Sequence, residues 1–109
     1  MYAATVGTQT ASYADTLGNI GLVYMNQGKL EQALPLYEES LSIKAATVGR
    51  QTSAYANDLF NLGTLKYNMG DIAGAMVDIE ESRAIRVAVG TPIPANEERV
   101  YRRVKSKLK

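Results

Sequence analysis

Apolar residues fall along this chain at helical spacing. Leu17, Ile20, Gly21 and Tyr24 follow an i, i+3, i+4, i+7 pattern and predict one amphipathic helix, ending at Gly28, where a left-handed cap costs nothing. Leu30, Ala33, Leu34, Tyr37, Leu41 and Ile43 predict a second, running to about Val48 and stopped by Gly49. Leu59, Leu62, Gly63 and Tyr67, then Ile72, Ala75, Met76, Ile79 and Ile85, predict the same pair again, ending at Gly90. Threonines near the starts of the first and third helices, Thr10 and Thr52, are suitable N-caps. Pro35 lies inside the second helix, where it removes a donor and predicts a local kink without ending the pattern.

The two pairs are copies at a fixed distance. Ala3-Ala4-Thr5-Val6-Gly7 recurs as Ala45-Ala46-Thr47-Val48-Gly49, an offset of 47 − 5 = 42. The same offset relates Tyr13 to Tyr55, Leu17 to Leu59, Asn19 to Asn61, Gly21 to Gly63, and Glu38-Glu39-Ser40 to Glu80-Glu81-Ser82. One register held over that length marks an internal repeat, each unit being a helical hairpin that buries its apolar face by stacking on the next.

Both ends depart from the plan. Thr91-Pro92-Ile93-Pro94 predicts a stiff non-helical link, and a last helix follows from about Ala95, with Tyr101 in register with Leu59 and Val104 with Leu62. Glu97 and Glu98 in its first turn and the bases near its end suit the helix dipole, so it reads as a capping helix. Met1 stands in register with Ile43, so residues 1–7 match only the last turn of a second helix. The expectation is a fragment, a truncated reading frame, or an array completed by a partner, with uncovered apolar surface on the first hairpin. The expected organisation is 1–9 as the remnant of a preceding repeat, 10–49 as unit one, 50–90 as unit two, and 91–109 as linker and basic capping helix. The fold class is all-α, antiparallel helical hairpins stacked as a short right-handed α-solenoid.

Leu17, Ile20, Gly21, Tyr24, Gly28, Ala33 and Tyr37 resemble the tetratricopeptide repeat signature at its own internal spacing. The 42-residue period, with Leu17-Gly18-Asn19-Ile20-Gly21 and Ala33-Leu34-Pro35-Leu36-Tyr37, is similar to the kinesin light chain subtype of that family. The resemblance covers about residues 10–90. Lys66 replaces Tyr24, Arg83 replaces Leu41, and Gly18 and Phe60 stand where an Asn is common in the subtype.

The resemblance implies a concave surface lined by the first helix of each hairpin. It places Asp15, Gly18, Asn19, Leu22, Met25 and Asn26 there from unit one, and Asn57, Phe60, Asn61, Thr64, Tyr67 and Asn68 from unit two. An Asn amide offers a donor and an acceptor to a peptide backbone, and tying neighbouring helices together is the equal alternative. Arg99 and Arg103 fall at groove positions in the same register and could bind an acidic peptide or terminal carboxylate. With Asn61 they are similar to part of the clamp of some tetratricopeptide cochaperones, but Gly18 and Leu22 stand where that clamp needs Lys and Asn. A solvated capping face is the first reading of these bases, with ligand binding as the alternative.

Composition narrows the chemistry. The chain of 109 residues has no Cys and no His, which excludes disulfides, thiolate metal sites and the commonest general base. No activated nucleophile or phosphate loop is present; Gly18-Asn19-Ile20-Gly21 lies within a first helix, and Glu38-Glu39 and Glu80-Glu81 fall on the outer face of the second helices. A non-enzyme without cofactors is expected. The net charge of +1 conceals eleven acids against six bases up to Glu98, followed by Arg99, Arg102, Arg103, Lys105, Lys107 and Lys109. Nucleic-acid contact through that basic helix is a lesser reading, for want of a groove-entering or stacking motif. No apolar run suggests a membrane span, no signal peptide is recognisable, and the cytoplasm is the default compartment. The expected function is therefore a protein- or peptide-binding scaffold, with an accessory subunit packed permanently in a larger assembly as the alternative.

Overall fold

The computed structural model describes residues 10–108, which form five helices: α1 (Ala11–Asn26), α2 (Leu30–Thr47), α3 (Ser53–Asn68), α4 (Ile72–Val89) and α5 (Ala95–Lys107). The expected remnant of a preceding repeat at residues 1–9 lies outside the described residues.

Local chemistry sets the boundaries where the sequence places them. Thr10 and Thr52 are N-caps whose hydroxyls accept from the amides of Tyr13 at 3.0 Å and Tyr55 at 3.2 Å. Each hairpin helix is followed by a glycine with positive φ, from 80° at Gly28 to 94° at Gly49, which an L-residue adopts only with strain. Asp71 adds a cap the sequence reading did not assign, accepting from the Gly74 amide at 2.9 Å. α2 runs on through Pro35. Pro35 and Glu31, the residue whose carbonyl loses its partner, are both exposed, so water can satisfy that carbonyl.

The helices pack in sequence as hairpins. α1 lies on α2, α3 on α4, α2 on α3, and α5 on α4 with a lighter contact to α3. Two glycines in equivalent positions allow each hairpin to close. A Cβ on Gly21 would stand 3.2 Å from the Tyr37 ring, and one on Gly63 would stand 2.8 Å from Ile79 Cγ1 and 3.1 Å from the Ala75 carbonyl. The largest core cluster joins α2 to α3 through Tyr37, Leu41, Leu59, Leu62 and Leu65. A second joins α3, α4 and α5 through Phe60, Met76, Ile79 and Val104, so α5 enters the core in the register expected of it.

Among the described residues the apolar stripe of α1 is partly open, on the hairpin where the repeat register leads one to expect uncovered surface: Ile20 is 41 % exposed, whereas Leu62 at the same place on α3 is 5 % exposed. The cause is packing rather than propensity, because α2 covers this face of α3 and no described helix covers it on α1.

Candidate functional site

Clefts open on the surface among the described residues, and two bear on the expected site. One, of about 350 Å3, lies between the first hairpin and the start of α5, over α3; its walls include Asn19, Asn57, Phe60, Asn61 and Asn96, with Lys44, Asp58, Arg86 and Glu97. The other, of about 570 Å3, lies at the hairpin turns and is lined by Gly28 to Gln32 with Asn68 and Met69.

The first cleft has a floor of paired charge that recurs with the repeat. On α2, Lys44 Nζ stands 3.1 Å from Asp58 and 2.9 Å from Asp15, while the Ser40 hydroxyl reaches the Ala14 carbonyl at 2.8 Å and touches the Asp58 carboxylate. On α4, forty-two residues on, Arg86 Nε donates to Glu97 at 3.0 Å and its terminal nitrogen to Asn57 Oδ1 at 2.6 Å. The Ser82 hydroxyl there lies 3.0 Å from both the Ala56 carbonyl and Glu97. Each second helix therefore ties its own hairpin to the following first helix through a serine and, one turn later, a cation. Lys44, Asp58, Arg86 and Glu97 are almost wholly buried, and pairing is what makes such burial tolerable. The acid comes from different places on the two receiving helices. Glu97 is in register with Tyr55, one turn before the position of Asp58, and its extra methylene helps it reach the same serine and cation.

A second pair of contacts secures α5. Arg83 bonds Glu98 and lies 3.9 Å over the Tyr101 ring. The hydrogen bond from Arg83 holds the Glu98 carboxyl below its ordinary range. Lys66, the departure from Tyr24, pairs with Asp78 at 2.9 Å.

The residues expected on the concave surface are distributed as follows. Asn19, Asn57, Phe60 and Asn61 meet in the first cleft, and Asp15 reaches its floor through Lys44. Asn68 lines the other cleft. Leu22 and Asn26 are exposed on α1, and the Thr64 hydroxyl donates to its own helix at the Phe60 carbonyl, 3.0 Å away. Arg99 and Arg103 are exposed on α5 and line neither cleft. Sequence reasoning missed Lys44, Arg86 and Asn96 as cleft residues. The signal for the cations was present in the repeated Ser-x-x-x-Lys and Ser-x-x-x-Arg of the second helices.

Among the described residues no group of His, Cys, Asp or Glu could hold a metal ion, and no helix is long and apolar enough to cross a membrane. A family model described as Tetratricopeptide repeat matches residues 12–86. No curated protein matches the chain.

Proposed function

The chain belongs to the tetratricopeptide repeat family, whose general role is that of a protein-interaction scaffold, and from that premise we propose that it binds an extended peptide non-catalytically in the cleft over α3. The observation that carries this reading is the convergence of Asn19 and Asn61 beside Phe60, with the Asn57 amide alongside, its oxygen already accepting from Arg86. Amides present donor and acceptor together, as a peptide backbone requires, and a nearby aromatic face adds apolar area. Lys44 and Arg86 are already paired, so they shape the floor rather than supply free charge. The 42-residue period supports placing the chain with the kinesin light chain-like subtype of the family.

An accessory subunit within a larger assembly is the second reading, favoured by Ile20 and Val23, which leave an apolar stripe on α1 uncovered by any described helix. The two readings separate on the groove. Peptides selected from a random library on the immobilised chain should lose affinity for the Asn19→Ala/Asn61→Ala variant while its helicity by circular dichroism is unchanged. Unaltered affinity with intact helicity would refute the groove.

A further inference from the structure

The internal repeat permits a comparison of the same groove position on three successive first helices. On α1, α3 and α5 that position is Asp15, Asn57 and Arg99; one turn further it is Asn19, Asn61 and Arg103. The register holds into α5, because Glu97 and Val104 are buried there as Tyr55 and Leu62 are on α3. Arg99 and Arg103 therefore stand where Asn57 and Asn61 stand one unit earlier.

Charge along this line changes sign. At the α1 end Lys44 is shared by Asp15 and Asp58, one cation against two carboxylates, and the Asp15 side chain is 63 % exposed. In the middle Arg86 is matched by Glu97, and Asn57 and Asn61 are neutral. At the α5 end the side chains of Arg99 and Arg103 are exposed and form no ion pair among the described residues.

We propose that the concave face is charge-graded beyond the two ends of the cleft and selects an extended peptide that runs through the cleft and whose own charges are segregated, with a basic end over Asp15 and an acidic end over Arg99 and Arg103. The inference rests on the groove reading above and names the partner's chemistry. Neighbouring helices sit about 8–10 Å apart, so the two ends are separated by roughly 20 Å, or about six extended residues. A uniformly acidic peptide would meet Asp15 at one end, and a uniformly basic one would meet both arginines at the other. Complementary placement of opposite charge favours the segregated sequence and disfavours these competitors.

The test uses two synthetic peptides of about twelve residues and identical composition. One has a Lys pair and a Glu pair separated by a neutral polar spacer, and the other has the same residues interspersed. Binding is followed through the backbone and side-chain amide signals of Asn19, Asn57 and Asn61 by nuclear magnetic resonance. The segregated peptide should bind several-fold more tightly at about 20 mM salt, with the preference vanishing near 0.5 M as the screening length shortens to roughly 4 Å. Arg99→Glu/Arg103→Glu should abolish the preference. Asp15→Asn, which installs the residue already present at Asn57, should reduce it independently of any effect on α5. Equal affinity with signals moving in the groove would overturn the charge grading and leave the groove reading standing; no movement there with either peptide would overturn both.

Discussion

Val23 on α1 and Leu65 on α3 occupy one position of the repeat, yet Val23 is 52 % exposed and Leu65 is completely buried. Leu65 belongs to the cluster joining α2 to α3, whereas no described helix covers Val23. Equivalent truncations should therefore differ in cost. Leu65→Ala should lose about 2–5 kcal/mol, as buried leucines do, while Val23→Ala should stay within about 0.5–1 kcal/mol. Denaturant unfolding of the two variants checks this; equal losses would mean that Val23 is covered in solution.

Gly63→Ala should destabilise by about 1–3 kcal/mol despite the better helix propensity of alanine, because the new methyl meets both a side chain and a backbone carbonyl. At Gly21 the three nearest atoms all belong to the Tyr37 ring, from 3.2 Å, a looser approach than the 2.8 Å at Gly63, so the same change should cost less. Thermal melts of both variants give the order, and a reversed order would contradict the packing described for the hairpins.

Glu97→Ala leaves the Arg86 guanidinium buried without its acid and should cost about 3–5 kcal/mol, the usual penalty for breaking a buried pair from one side. Replacing both partners, as in Arg86→Met/Glu97→Leu, should cost clearly less. Hydrogen exchange should show the α5 amides losing protection in the single variant before those of α3. Uniform loss across all helices would show that α5 is not separately held.

Burial, reinforced by the negative charge of Asp58, pushes the Tyr37 hydroxyl from its ordinary 10.0 up to about 12. Since the folded value lies above the unfolded one, the contribution to stability is complete below about pH 10 and disappears as pH rises through about 12. Ultraviolet titration should therefore resolve a late-ionising tyrosine that Tyr37→Phe removes. That variant should also be well tolerated, because the buried hydroxyl has no hydrogen-bond partner among the described residues.

Periodicity made the helices legible. A repeat that places Leu17 and Leu59, Gly28 and Gly70, or Thr10 and Thr52 in one register identifies helix faces and caps, since these are local properties of the chain. The helical pattern alone puts Ile20 and Leu62 on the same face, because it records which side is apolar and not which neighbour lies against it; the repeat register is what points to open apolar surface on the first hairpin. The junctions were hidden for a related reason. Ser40 and Ser82 read as polar residues beside paired glutamates, and their bonds to Asp58 and Glu97 span the gap between helices. In the cleft, the repeat aligned Asn19 with Asn61, while Asn96 stands where α3 has Ala54 and α1 has Ser12, so no repeated amide marked it.

The four-residue link from Thr91 to Pro94 gives α5 a further property. With two prolines and so short a span, a helix that lets go of α4 cannot travel far, and its local concentration stays on the order of millimolar or above. Re-docking is then unimolecular. A soluble competitor for the Ser82 and Arg86 surface must exceed that concentration relative to its own dissociation constant before it displaces the helix. Cleavage of the link would remove this advantage without changing any contact between α5 and α4.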